Sequence, residues 1–421
     1  MTSFTIPKSA TRLHKISPAL LDLRAESDII VKLRSFRPVT SEKNVWAFWD
    51  KGWQAMYPSH RCTVVNWVHR LGPSWTVRLV DLVEESPNNV YNYVGKEWFP
   101  DCFVNKTMDG KHAPQHAADL LRLPLLFEHG GVWMDVSNML HTHLDELFWN
   151  ALTAPGSPYE MGVWIITGQI RKQWGSFGNF MLAARKGCWF IKNWHNGYKE
   201  LWKGRTNADG FHENPIIQDI GLAEGMADWD MEDQVKEMSD YVAQMLIGDR
   251  TRNLFDVSTG WNGREFFENK VFMVEGINNG ILAAIKTHFD GYKQIELLTT
   301  RLDEPDLKKR QEAEAFIVDM LENSHMWKAY HNSAGESPTL GDLVKKKGFM
   351  DVTHRSGTFG ELYRYGTVHW ESTRGVEKLE GQKAEEELIY ATPTEPASVV
   401  APEKKAVNDF GNGVTKNLTR S

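Results

Sequence analysis

From about residue 44 to residue 330 the chain alternates short apolar runs with longer stretches in which apolar residues recur at helical spacing. That is the pattern of strands joined by crossover helices. Val45-Trp46-Ala47-Phe48-Trp49, closed by Asp50-Lys51-Gly52, predicts a first buried strand. Val64 to Leu71 has helical spacing and stops at Gly72-Pro73, and Thr76 to Val80 follows as a second strand ending at Asp81. Strand, helix, strand in this order predicts parallel pairing through a right-handed crossover. A helix is predicted from Pro114 to Phe127, with Ala117, Leu121 and Leu125 on one stripe and Gly130 as its stop. Pro124 inside it lacks a backbone donor and should kink or tighten the chain. Gly131 to Asp135 reads as an apolar strand that delivers a carboxylate at its carboxyl end, the edge where open α/β sheets bind ligands. Gly162 to Thr167 and the apolar stretch Phe177 to Ala184 continue the pattern. Asp228 to Ile247 reads as helical, and Asp306 to Asn323 as an amphipathic helix. The expected fold class is α/β, with a mostly parallel central sheet flanked by helices.

The two ends behave differently. Residues 1–36 predict a short helical arm, residues 37–370 a single catalytic domain, and residues 371–421 a disordered tail. In the last segment the charge run from Lys378 to Glu387 and Thr392-Pro393-Thr394-Glu395-Pro396 offer too little apolar surface to offset ordering entropy. With 421 residues and 41% hydrophobic content, the chain can bury an enzyme-sized core. A formal net charge of −7 carries no basic footprint, which argues against a nucleic-acid partner. No run reaches the roughly 18 apolar residues of a membrane span, and no signal peptide is visible. The 3 cysteines, Cys62, Cys102 and Cys188, are odd in number and far apart, the wrong arithmetic for a disulfide framework. A cytoplasmic, reducing setting is expected.

Asp119 and Arg122 lie three apart on the predicted helix and therefore share a face, offering an acceptor beside a fork of donors. Alone, such a pair reads as an ordinary surface ion pair. The strand ending in Asp135 follows closely, with Ser137 and Asn138 behind it. A strand-tip carboxylate with a nearby hydroxyl suits a hard divalent cation that bridges to phosphate, and equally an aspartate that caps its own turn.

The run from Ala118-Asp119-Leu120-Leu121-Arg122 to Gly130-Gly131-Val132-Trp133-Met134-Asp135 resembles the core of the capsular polysaccharide synthesis glycosyltransferases, relatives of the DxD sugar-transferase family numbered thirty-two. Val45 to Gly52 resembles that family's first strand, and Glu322-Asn323-Ser324-His325-Met326-Trp327-Lys328 is faintly similar to its closing motif. The resemblance implies a GT-A-type nucleotide-binding domain and a nucleotide diphosphate sugar as donor. It also implies a glycan or other hydroxyl acceptor, retention of anomeric configuration, and assistance from Mn²⁺ or Mg²⁺. By the same resemblance Asp119 and Arg122 contact the donor, Trp49 lies at the nucleotide base and Asp135 is the first acid of the DxD motif. Trp46 in the same first strand is a further nucleotide-binding candidate, and His325 reads either as a late metal or phosphate contact or as a histidine satisfied within its loop. Where the broader family has a second Asp, this chain has Ser137, a weaker metal ligand. The chemistry suits these residue types independently, because cleavage of a glycosyl diphosphate builds negative charge on the leaving phosphate that a cation can stabilise.

Two rival readings use the same residues. His141 and His143, a His-x-His pair, could hold zinc with Asp135 for hydrolysis. Ser137 in place of the second acid fits a catalytically inactive nucleotide-sugar-binding protein. Asp219, Asp256 and Asn278 to Gly280 stand as candidates near the acceptor.

Overall fold

A computed structural model describes residues 3–167, 175–223, 232–331, 337–380 and 388–390. Its centre is a 6-stranded sheet. The strands are β1 (Asn44–Phe48), β2 (Thr76–Val80), β3 (Gly131–Met134), β4 (Met161–Ile166), β5 (Ser176–Ala184) and β6 (Val271–Glu275). They lie in the spatial order β6-β4-β5-β3-β1-β2. The pairs β6–β4, β3–β1 and β1–β2 are parallel, while β5 runs antiparallel to both its neighbours. The mostly parallel sheet expected from the sequence therefore carries one reversed strand. Val45, Trp46 and Ala47 in β1 have no exposed surface, which is why that strand is a continuous apolar run and not an alternating one.

The flanking helices are α1 (Pro58–Leu71), α2 (Ala113–His129), α3 (Trp189–Leu201), α4 (Ala243–Asn253), α5 (Leu307–Asn323) and α6 (Phe359–His369). α2 packs on α3, α3 on α4, and α4 against β5. α1 begins six residues before the apolar spacing first marks it, because Pro58 sits at its first position, where a missing backbone donor is harmless. α2 runs unbroken through buried Pro124. The helical stretch expected from Asp228 to Ile247 is divided into Glu232–Tyr241 and α4, and its first residues lie outside those described. Asp306 caps α5 through its side chain, which accepts from the backbone N–H groups of Lys308 and Lys309.

A second core, around Leu298, Ile317, Leu321, Trp327 and Tyr363, lies beneath α5 and α6. It is tied to the sheet by an antiparallel pairing of Met326–Lys328 with Asn138–Leu140, in which Lys328 stands opposite Asn138. The amino-terminal arm contains the helix Glu26–Leu33, and its residues Leu13–Lys15 pair with Trp370–Ser372. The boundary drawn at residue 371 is corrected by that pairing and two other contacts. Glu371 makes a 2.9 Å ion pair with buried Arg70, and the Leu379 N–H donates to the Met273 carbonyl. Residues 391–421 of the expected tail lie outside the described residues.

Between α2 and β3 the chain must reverse within two residues. Gly130 at φ 67° donates its N–H to the Leu126 carbonyl and ends the helix, and Gly131 follows at φ 109°. A Cβ on Gly131 would sit 2.3 Å from the Asn44 carbonyl oxygen in the neighbouring strand. Gly131→Ala is therefore expected to cost about 3 kcal/mol, from backbone strain and overpacking together. Denaturant unfolding checks this, and an unchanged midpoint would show that the strand edge yields.

Candidate active site

Asp119 and Arg122 project from α2 toward the carboxyl end of β3, and Asp135 follows the last residue of that strand. The Arg122 guanidinium lies 2.9 Å from Asp119 Oδ1 and 3.7 Å from Asp135 Oδ1, so the sequence-predicted trio does converge. It also donates to the Asn179 carbonyl on β5 at 2.8 Å and stacks 5.1 Å from the centre of the Trp133 ring. Asp119 accepts in addition from the Asn179 side chain at 3.2 Å, and its backbone carbonyl accepts from Gln244 on α4. Asp119 and Arg122 are 7% and 4% exposed. They form a buried pair beneath the floor of the site, whereas Asp135 retains 27% of its side-chain surface.

The sequence reading missed Lys328. The pairing of Met326–Lys328 beside Asn138 brings its ammonium 2.6 Å from Asp135 Oδ2 and 5.4 Å from the centre of the Phe180 ring. Asp135 Oδ1 accepts from the Trp133 indole at 3.0 Å. Burial works against ionisation of Asp135, but Lys328 and Arg122 outweigh it and hold its carboxyl below the usual carboxylate range. Burial lowers the Lys328 ammonium from its ordinary value, with Asp135 opposing. Tyr241 also closes on this cluster: burial, then the charges of Asp119 and Asp135, raise its hydroxyl. The available signal for Lys328 was its place in the closing motif, Glu322 to Lys328.

The remaining predicted residues separate. Trp49 follows β1 at the same sheet edge as Asp135, partly buried, with its ring 5.4 Å from Tyr57 and 5.5 Å from His60. Trp46 is sealed in the core, its indole donating to the Gly130 carbonyl at 3.0 Å and the Arg78 guanidinium 5.4 Å from its ring, so it has no face to offer a base. His325 is 2% exposed and its Nδ1 lies 2.9 Å from Thr142 Oγ1. It stands three residues before Lys328, or roughly 10 Å along an extended strand, at the end of the pairing away from Asp135. Ser137 is buried in a small gap with Ser59, His60 and Arg364. A cavity lies between α1 and α6, lined by Cys62, Val65, Asn66 and His69. At helical spacing those residues occupy the face of α1 opposite His60, away from the cluster.

These positions decide how a divalent cation would fit. Among the described residues of this cluster Asp135 has the more exposed carboxylate, and its oxygens are already met by an ammonium, a guanidinium and an indole N–H. Asp119 and Asp135 balance Arg122 and Lys328, so a dication would have to displace Lys328. Among the described residues no group of three His, Cys, Asp or Glu side chains could hold a metal ion. The donor set does not fit the Mn²⁺ or Mg²⁺ expected with Asp135, Ser137 and His325.

The zinc alternative lacks a centre for a similar reason. His141 Nδ1 lies 3.1 Å from the Ser324 carbonyl and its Nε2 2.7 Å from the Tyr363 hydroxyl, while His143 Nδ1 accepts from the Asp145 N–H at 3.2 Å. Asp219 is 3.7 Å from buried Arg250, and Asp256 accepts from Ser258 and Thr259 in its own loop. Asn279, in the short helix Ile277–Gly280, accepts the His325 N–H through its carbonyl.

Residues 11–245 match the family described as capsular polysaccharide synthesis protein. The chain belongs to that family. It is 36% identical to the O-glycosyltransferase braB of Annulohypoxylon truncatum over 89% of this chain and 91% of that protein. It is similarly 36% identical to the glycosyltransferase afumC of Aspergillus fumigatus, over 88% and 96%. The O-glycosyltransferase PaGT of Phomopsis amygdali is 32% identical over 90% and 95%. The chain is accordingly a glycosyltransferase, acting on a sugar donor and an acceptor. The family match spans Trp49, Asp119, Arg122, Asp135, Asn179 and Gln244, while Lys328 lies beyond it.

Two outcomes follow from this burial. Alone in the sequence Asp119 and Arg122 read as a surface ion pair, but in the fold removal of Arg122 would strand Asp119 inside the protein. Arg122→Ala should therefore cost about 3–5 kcal/mol, and chemical denaturation that shows an unchanged stability would refute the buried pairing. Burial also depresses His141 to about 3 and His325 to about 4, from an ordinary 6.5. Both stay neutral in the fold while the unfolded chain takes up protons, so stability is lost as pH falls from 6.5 towards 4. Calorimetry across that range should show a falling melting temperature, and a flat profile would contradict it.

Proposed function

We propose that this glycosyltransferase uses a nucleotide diphosphate sugar and moves a hexosyl unit to a hydroxyl acceptor, with retention of anomeric configuration, on a GT-A-type domain. The observation that carries the reading is Asp135 at the carboxyl edge of the sheet, fixed between Arg122 and Lys328 and beside Trp49 at the end of the adjacent strand. Ligands of open α/β sheets bind at that edge. In this reading Trp49, partly buried at the same edge, lies against the nucleotide base. Relatives named as O-glycosyltransferases support oxygen as the acceptor atom. The three cysteines are free, and no helix among the described residues is long and apolar enough to cross a membrane. The free cysteines accord with work in a reducing compartment such as the cytoplasm.

In the transfer, the bond from the anomeric carbon to the β-phosphate oxygen breaks as the acceptor oxygen approaches from the same face. Negative charge accumulates on the departing diphosphate, and positive charges fixed beforehand lower that barrier. Asp135 orients sugar hydroxyls and holds the cations in register. Asp119 and Arg122 keep Asp135 in place from below. No protein nucleophile is required, since the departing phosphate can accept the acceptor's proton.

A thermal-shift screen of UDP-, GDP- and ADP-linked sugars should yield a donor that raises the melting temperature, because a ligand bound only by the folded state stabilises it. With that donor, Asp135→Asn should lower turnover by about 10²–10³-fold. Full activity in the variant, or stabilisation by none of the nucleotide sugars, would reject the assignment.

A further inference from the structure

We propose that Lys328 occupies the place a divalent cation would take, so that transfer proceeds without metal and the Lys328 ammonium stabilises the leaving diphosphate. This rests on the nucleotide-sugar reading above and adds a residue and a cofactor requirement to it.

Geometry argues first. Lys328 reaches the outer carboxylate oxygen of Asp135, at 2.6 Å, while Arg122 and the Trp133 indole occupy the inner one. Lys328 and Asp135 thus form the upper layer of the charge cluster, with 11% and 27% of their side chains exposed, above the closed Asp119–Arg122 pair. A cation bound to the outer oxygen of a strand-tip carboxylate is where a bridging metal would sit between protein and phosphate. Here that position is filled by a covalently tethered charge.

Energetics point the same way. Taking an ammonium out of water for one partly exposed carboxylate gains little stability, and such pairs are often replaceable by apolar groups of similar volume. The fold nevertheless spends a strand on the placement, with Lys328 opposite Asn138 and the Asn138 side chain donating to the Phe180 carbonyl. Phe180 presents its ring to the Lys328 ammonium at 5.4 Å. A desolvated, preorganised cation needs no reorganisation when negative charge develops. Ser137, the residue that departs from the two-acid motif, is buried toward His60 and Arg364 and supplies no second anionic ligand. Weak metal ligation and a tethered cation are thus two sides of one arrangement.

The reaction balances without further reactants. The glycosyl carbon–oxygen bond to the β-phosphate breaks with its electron pair going to the phosphate. The acceptor oxygen forms the new glycosidic bond, and the acceptor proton leaves on the nucleoside diphosphate or to solvent. Lys328 remains an ammonium throughout and exchanges part of its contact with Asp135 for the phosphate oxygens.

The test measures release of nucleoside diphosphate from the screened UDP- and GDP-sugars by the full chain, in EDTA and in added Mn²⁺. Wild-type turnover should agree between the two within about 2-fold, and Lys328→Met should lower it by about 10²–10³-fold in both. Lys328→Arg, which keeps a charge, should stay within about 10-fold of wild type. Lys328→Met should also weaken UDP or GDP but not uridine or guanosine, a difference that mere support of Asp135 would not produce. Wild-type turnover that vanishes in EDTA and returns with Mn²⁺ overturns this inference and leaves the donor reading standing, even if Lys328→Met fails to fold. Undiminished turnover in Lys328→Met overturns it too. Turnover of no nucleotide sugar under either condition overturns the donor reading, and this inference with it.

Discussion

The site depends on a closed set of four charges at the carboxyl edge of the sheet. Asp119, Arg122, Asp135 and Lys328 come from a helix, the end of a strand and a distant strand segment, and the pairs Asp119–Arg122, Arg122–Asp135 and Asp135–Lys328 each meet within hydrogen-bond or near-contact range. In a low-dielectric setting, removing any one member leaves the cluster with an unbalanced charge. This explains why the surroundings are so strongly constrained. Asn179 and Gln244 satisfy Asp119 from a reversed strand and a neighbouring helix, and the Trp133 ring faces the Arg122 guanidinium while its indole nitrogen donates to Asp135. The sheet, α2 and α4 have to meet in one register for these contacts to form.

How far the amino-acid sequence reveals this arrangement depends on distance along the chain. β1, β2 and β3 are short apolar runs bounded by turn residues, and buried parallel strands have that appearance. The helix spacing of Asp119 and Arg122 and the strand tip at Asp135 were legible for the same local reason. The reversal of β5 was not, because periodicity carries no direction. Trp46 and Trp49 look alike in a sequence, yet one is walled in by Gly130 and Arg78 and the other reaches the ligand edge. His325 and Lys328 share one quoted motif, and only the pairing with Asn138–Leu140 shows which of them meets Asp135. The start of α1 escaped the hydrophobic pattern because Pro58, and not an apolar residue, marks it. The apolar poverty of the chain after Glu371 concealed that its first residues still pair with the amino-terminal arm.

The second core gives the fold its other constraint. It packs α5 and α6 around Trp327, whose neighbour in sequence is Lys328, so apolar burial of one residue aims the charge of the next. Alternation along an extended strand puts successive side chains on opposite faces, and this short strand uses it to seat an indole on one side and an ammonium on the other. The Lys328 ammonium is in this way aimed by apolar packing on the other face of its strand.

The Lys328–Asp135 contact joins residues separated by 193 positions. A chain emerging in order would build β1 to β5 and expose Asp135 long before its ammonium partner exists, and loop closure over such a separation is slow to accomplish. Maturation of the catalytic edge is thereby deferred to the last third of synthesis. A product ending before residue 328 would own a nearly whole sheet yet lack the ammonium that pairs with Asp135.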